Sequence, residues 1–280
     1  MVKPTFPFKT DIVMQIGYLY WSKNSNHSMC SCFSLIQDTC ESKIDMSLFS
    51  SCQNDIESMD LLAAQASLLT YSEAADIFKV LALADHKTIH SVENAFAVSW
   101  KQSSTWVLSF RGTELNDWRD IIDDSDVRLG PLEWADSCKA HVGFSRHFGK
   151  LLESITAAIQ ELPLDELDIA LFTGHSLGGA VSYLAAFYFE QILRNNGFKG
   201  QIQLYTFGAP KIGTSELLYW CAARDSLVHV VAYENAEDPV PKLPPLMSQN
   251  WVRLLRIFKT SLSPFKAHSM RSYLHDITAL

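Results

Sequence analysis

No stretch of this 280-residue chain holds 18 consecutive apolar residues, so no transmembrane segment is expected. Basic side chains are the minority, 23 Lys and Arg against 31 Asp and Glu, for a formal net charge of −8. No basic run is long enough to neutralise successive phosphates, and no nucleic-acid partner is expected. Cysteine is scarce, six in all. Cys30, Cys32, Cys40 and Cys52 follow a C-x-C…C…C spacing that lacks the two C-x2-C pairs of a zinc site, and Cys138 and Cys221 stand apart in the body. Disulfides would need an oxidising compartment that the N-terminus does not announce, so free thiols are favoured. The apolar patch from Ile12 to Tyr20 is broken by Gln15 and Gly17, and no clean small-residue cleavage site follows it, so a signal peptide is disfavoured. Internal repeats and low-complexity tracts are absent from the sequence.

What is present suits a large globular body. Hydrophobic residues make up 48% and charged residues 19%, enough for one α/β domain with an N-terminal extension. Residues 1–57 are polar, serine-rich and aperiodic and read as that extension, leaving 58–280 as the domain. From Ser58 to Ala84, apolar residues recur at helical spacing (Leu61, Leu62, Leu68, Leu69, Ile77, Phe78, Leu81), which predicts one or two helices. Ala95 to Trp100 and Thr105 to Phe110 are β-rich runs around a four-residue polar link and predict a hairpin. An amphipathic helix over Ser145 to Leu162 ends near Pro163. Strands at 167–173, 201–207 and 227–233 then alternate with helices at 177–194 and around 214–223. That alternation predicts βαβ units and a mostly parallel central sheet with helices on both faces.

The hexapeptide Gly174-His175-Ser176-Leu177-Gly178-Gly179 joins one of those strands to the next helix. A G-x-S-x-G pentapeptide would arise by chance in a chain this long about one time in ten. Its position at a strand-to-helix junction gives it weight, because that is where a nucleophile elbow forms. The turn is too tight for Cβ atoms on either side of the serine, so glycines flank it. The hydroxyl is left at the carboxyl edge of the sheet, facing the amides at the start of the helix.

A serine hydroxyl is a weak nucleophile at neutral pH unless a histidine takes its proton and an acid orients that histidine. On an α/β-hydrolase the chain order is Ser, acid, His, which leaves three histidines after Ser176: His229, His268 and His275. His229 lies inside an apolar strand and His275 well into a terminal helical run, whereas His268 sits on a loop and suits the base. For the acid, Asp238 follows the end of strand 227–233, with Pro239 restricting its backbone. Glu234 and Glu237 compete locally, while Asp225 precedes that strand at the wrong end.

Six short motifs occur in order: Phe110-Arg-Gly-Thr113, His141-Val-Gly-Phe144, Thr173 to Gly179, Thr206-Phe-Gly-Ala-Pro210, Asp238 to Pro244, and Ala267-His-Ser-Met270. Together they resemble the class 3 lipases, the family of fungal triacylglycerol lipases, feruloyl esterases and some phospholipases A1. The resemblance covers about residues 60 to 280 and implies an α/β-hydrolase fold with Ser176, Asp238 and His268 as its triad. It implies an oxyanion hole made by the amide and hydroxyl of Thr113 together with the amide of Leu177. It also implies a lid after Thr113, where Leu115, Trp118 and Ile122 share one face of an amphipathic segment; an ordinary surface helix is the competing reading. The sequence departs from the family in two places. Ile121 stands where the family's Trp-x-x-Asp would place an aspartate, and the interval from Asp238 to His268 is short. His175, His141 and Phe144 read as packing or structural residues.

The function expected is hydrolysis of acyl glycerols, by a triacylglycerol lipase or esterase working through an acyl-enzyme. No metal or organic cofactor is expected. The substrate would be a lipid or acyl ester met at a lipid–water interface. A phospholipase A1 is the nearest alternative, because these motifs serve the chemistry while the pocket sets the substrate. A feruloyl esterase, or an inactive hydrolase fold used as a binding module, stands further off. The lack of a clear signal peptide favours the cytoplasm, and the family resemblance allows secretion.

Overall fold

The computed structural model describes residues 18–20, 56–113, 128–223, 228–245, 247–248, 250, 254–258 and 263–279. Among them, eight strands form one twisted sheet. In chain order they are β1 (Tyr18–Tyr20), β2 (Asp85–Val92), β3 (Ala95–Gln102), β4 (Thr105–Phe110), β7 (Ile169–His175), β8 (Gln201–Phe207), β9 (Val228–Asn235) and β10 (Leu254–Phe258). A separate hairpin pairs β5 (Leu129–Leu132) with β6 (Ala135–His141). The sheet order is β1-β10-β9-β8-β7-β4-β3-β2, parallel from β1 through to β4 and antiparallel at β4–β3 and β3–β2.

Helices cover both faces of this sheet. On one side lie α3 (Val142–Gln160), α4 (Leu177–Asn195) and α5 (Ser215–Ala223); on the other lie α1 (Ile56–Leu69), α2 (Ala74–Val80) and α7 (Met270–Thr278), with the short α6 (Pro264–Ala267) just ahead of α7. The central strands are buried on both faces and alternate between the two cores. Trp106, Leu108 and Phe172 point to the α3–α4 side, and Val107 and Leu171 to the α1 side. This is why β4 and β7 read as largely apolar runs. α4 is buried almost all round, as expected for a helix packed between the sheet and its neighbours.

The α1 face is built differently. Ala63, Ala64 and Ala66 are fully buried and let the helix lie close to the sheet. Hydroxyls of the central strands satisfy the polar groups there: Ser109 Oγ donates to the Ala66 carbonyl at 2.9 Å, and Ser67 Oγ pairs with Thr173 Oγ1 at 2.9 Å.

Most expected elements fall within two residues of their place, and the fold is the α/β-hydrolase architecture with a mostly parallel sheet. The hairpin is β3–β4, and the strand ahead of the elbow runs two residues further, to His175. Strand β2 is not predicted by the sequence pattern. Asp85, His86, Lys87, Thr88, His90 and Ser91 give it no apolar alternation, because it is an edge strand with a largely solvated surface. The N-terminal extension contributes Tyr18–Tyr20 as the opposite edge, paired with β10. Cys138 and Cys221 are buried; burial, then the charges of Glu216 and Asp136, hold the Cys138 thiol above its ordinary range. The other four cysteines lie outside the described residues.

Candidate active site

Ser176 sits between β7 and α4 with φ 57° and ψ −130°, a left-handed conformation that a side chain adopts only when its surroundings enforce it. The enforcement is visible. Its amide donates to the Phe207 carbonyl at 2.9 Å, and its carbonyl accepts from the Gly179 amide at 2.9 Å. A Cβ on Gly174 would overlap the Gly178 carbonyl, and one on Gly178 would overlap the backbone of Phe110. Only glycines let β4, β7 and the start of α4 meet here.

His268 follows α6 and Asp238 follows β9, both on the same edge of the sheet as Ser176. The structure brings the three side chains together. His268 Nε2 lies 2.9 Å from Ser176 Oγ, and His268 Nδ1 lies 2.8 Å from Asp238 Oδ2. All three residues are buried, Asp238 completely. A carboxylate accepts, so Nδ1 carries the proton and Nε2 is left to accept from the serine hydroxyl. The competing histidines are elsewhere: His229 is inside β9 and His275 is exposed on α7.

Asp238 is held by more than the histidine. Its Oδ1 accepts from the Val240 amide at 2.9 Å, and its Oδ2 accepts from the Tyr273 hydroxyl at 2.7 Å. The Tyr273 oxygen in turn accepts from the Asn235 amide at 3.0 Å. Burial, then the charge of Asp238, keep the Tyr273 phenol well above its ordinary value, so it stays a donor. Gly208, with φ +57°, makes room for this cluster: a Cβ there would come within 2.7 Å of Asp238 Oδ2 and 3.0 Å of Tyr273 Oη. That contact explains the glycine of Thr206-Phe-Gly-Ala-Pro210. Tyr273 carries no comparable sequence signal, since a lone tyrosine on a terminal helix fits any packed face.

Of the residues expected to bind an oxyanion, Leu177 directly follows the serine. Leu177 is the first residue of α4, so its amide has no acceptor within the helix. The loop Arg111-Gly112-Thr113 leaves β4 against the elbow, where a Cβ on Gly112 would stand 3.1 Å from the Ser176 Cβ. Thr113 is half-buried next in the chain. Leu115, Trp118 and Ile122, named for the lid, lie outside the described residues. His141 has a local structural role: its ring caps α3 by accepting from the Gly143 amide at 3.1 Å, and it stacks on Phe144. His175, expected only to pack, is more than filler. Both its nitrogens are engaged, by Tyr71 Oη at 2.8 Å and by the His268 carbonyl at 2.6 Å.

A parallel sheet, a strained serine elbow and a Ser-His-Asp hydrogen-bonded row define an α/β-hydrolase. The class 3 lipase family model matches residues 107–248, half of the chain, and the chain belongs to that family. Among curated relatives, the secreted mono- and diacylglycerol lipase 1 of Fusarium solani is 33% identical over 143 residues, 50% of this chain and 40% of the relative. The secreted mono- and diacylglycerol lipase A of Penicillium cyclopium is 30% identical over 169 residues, 60% of this chain and 51% of the relative. The chain thus spans about half or less of the length of these relatives. Among solved structures, the Rhizomucor miehei triacylglyceride lipase superposes with a TM-score of 0.53 at 22% identity, over 67% of this chain and 72% of that one. At that identity the likeness is one of fold.

Proposed function

We propose that this chain is a serine carboxylic-ester hydrolase that cleaves acyl glycerols. The observation that carries the reading is the continuous row Ser176 Oγ, His268 Nε2 and Nδ1, Asp238 Oδ2, with contacts of 2.9 and 2.8 Å. In the first half-reaction Ser176 Oγ attacks the ester carbonyl while His268 Nε2 takes its proton, and Asp238 stabilises the imidazolium. The oxyanion forms beside the amides of Leu177 and Thr113 and the Thr113 hydroxyl, each donor being worth about 3 kcal/mol in the transition state. His268 then gives its proton to the departing glycerol oxygen, leaving an acyl-serine. In the second half-reaction the same nitrogen deprotonates water as it attacks the acyl carbon; the bond from Ser176 Oγ to the acyl carbon then breaks, Oγ takes the proton back from His268, and the fatty acid leaves.

The body that carries this chemistry is residues 58–280, with 1–57 as an extension. No described helix is long and apolar enough to cross a membrane, and in this reading the substrate is met at a lipid–water interface. A second reading, phospholipase A1, draws on the likeness to the chloroplastic phospholipase A1-Ialpha2 of Arabidopsis thaliana, 28% identical over 127 residues, 44% of this chain and 26% of the relative.

The test is fatty-acid release from a triolein emulsion and from phosphatidylcholine vesicles, with Ser176→Ala as the blank. The acyl-glycerol reading expects triolein to be cleaved in preference, and the variant to lose about 10⁴-fold or more in turnover. Preference for phosphatidylcholine with release of lysophospholipid establishes the second reading instead. Release that survives in Ser176→Ala overturns both.

A further inference from the structure

Tyr71 and His175 stand one step behind the reacting atoms and join two parts of the site that the chain leaves far apart. Arg111, two residues before Thr113, reaches back to the end of α1. Its Nε donates to the Thr70 carbonyl and its Nη2 to the Ser72 carbonyl at 3.2 Å, gripping the backbone on both sides of Tyr71. The guanidinium is fixed from its other side by the Phe96 ring, 3.8 Å from the centroid. Gly112 presses on the same tyrosine: a Cβ there would overlap both Tyr71 Oη and the His175 carbonyl.

From Tyr71 the chain of contacts continues to the base. Tyr71 Oη lies 2.8 Å from His175 Nδ1, and His175 Nε2 lies 2.6 Å from the His268 carbonyl oxygen. A carbonyl can only accept, so Nε2 bears the His175 proton and Nδ1 accepts from the tyrosine hydroxyl. Burial, then the charge of His268, hold His175 well below the ordinary histidine range, which keeps it neutral and this tautomer fixed. The ring also lies against the His268 ring, with centroids 4.7 Å apart. His175 therefore grips His268 by its backbone and leaves both nitrogens of the His268 ring for Ser176 and Asp238.

We propose that Tyr71 and His175 are positioning residues that lock the general base His268 to the oxyanion loop 111–113, so that base and oxyanion donors move as one body. This rests on the reading of Ser176, His268 and Asp238 as the catalytic row. It assigns Arg111 a task as well, since the arginine sets the height of Tyr71 against the loop that carries Thr113. A cluster that merely fills space would add to stability but would not link the loop to the base.

The experiment uses the full chain and a soluble short-chain nitrophenyl ester, with rates divided by the sites that an alkyl phosphonate titrates at Ser176. Tyr71→Phe removes only the hydroxyl and is expected to lower kcat per titrated site about tenfold with KM unchanged, the scale of one lost hydrogen bond. Thr113→Ala probes the loop, and in the double variant the losses should fall short of the product of the single ones. His175→Gln, whose amide can replace the donor to the His268 carbonyl, should keep more of kcat than His175→Leu, which also covers the case in which Tyr71→Phe does not fold. The proposal is overturned if kcat per titrated site is unchanged in Tyr71→Phe, if the Tyr71 and Thr113 losses simply multiply, or if Gln and Leu at 175 behave alike. A wild-type chain that takes no phosphonate at Ser176 overturns the hydrolase reading itself, which separates the two failures.

Discussion

His268 and His90 are both buried imidazoles, and each has a serine hydroxyl within hydrogen-bonding distance of a ring nitrogen. His268 Nε2 meets Ser176 at 2.9 Å; His90 Nε2 meets Ser99 at 2.9 Å and His90 Nδ1 meets Ser154 at 2.7 Å. Among the described residues a buried serine–histidine pair is thus found at the carboxyl edge of the sheet and again between β2, β3 and α3. The second nitrogen separates them. In His268 it faces Asp238, and in His90 it faces another hydroxyl. Backbone geometry separates them too: Ser176 is the residue with φ 57° at the head of a helix, whereas Ser99 lies in the middle of a strand and Ser154 within a helix. Burial drives His90 down to about 4. A serine and a histidine in contact are therefore packing. An acid, a strained turn and helix amides make them chemistry.

The sharpest way to break that contrast is to take the acid away. Asp238→Asn would leave His268 with a neutral partner like that of His90, and an amide nitrogen facing Nδ1 would favour the wrong tautomer. Turnover should drop about 10⁴-fold, measured as kcat on a soluble ester with KM nearly unchanged. A loss under tenfold would mean that the carboxylate does not orient the base.

A smaller break removes the support behind the acid. Tyr273→Phe deletes the 2.7 Å bond to Asp238 Oδ2 and leaves the buried Asn235 amide without its phenolic acceptor. We expect kcat per titrated site to fall about tenfold and stability to fall about 1–3 kcal/mol, the penalty for an unsatisfied buried donor. Urea unfolding and active-site titration on one preparation separate the two effects. Unaltered kcat would reduce Tyr273 to a packing residue.

The parts of this contrast legible in the sequence are those that the backbone writes locally. Gly174, Gly178 and Ser176 announce the elbow because the turn itself excludes other residues, and chain order with loop position then points to Asp238 and His268 as candidate acid and base, with Glu234 and Glu237 still competing for the acid. The alternation of β7, α4, β8, α5 and β9 likewise follows from local pattern. What stayed illegible depends on the tertiary fold. Tyr71 is 104 residues from His175, and Tyr273 is 35 from Asp238, so no spacing rule pairs them. The role of Gly208 is equally hidden, because it exists only where Asp238 and Tyr273 converge on it. Strand β2 is illegible for the opposite reason: its polar edge leaves no apolar period to read, even though His90 inside it is fully buried.

The mildest break concerns His90, where the contrast predicts an effect on stability and none on turnover. The unfolded chain takes up a proton near the ordinary histidine value of 6.5, while the folded ring resists it until about 4. Between those values the unfolded state binds more protons, so stability must fall as pH drops from 6.5 towards 4 and level off below that. A displacement of that size corresponds to about 3 kcal/mol across the window. His175 and His147 are also held low and add to the wild-type slope, so the measurement is a difference. His90→Gln keeps a donor and an acceptor between Ser99 and Ser154 but cannot titrate. Urea midpoints taken from pH 7 to pH 4 should show a shallower decline in the variant, with kcat at pH 7 equal to wild type. Parallel declines would show that His90 is charged at the same pH in the folded and unfolded chain; a loss of kcat at pH 7 would make the second serine–histidine pair part of the working site and dissolve the distinction between the two.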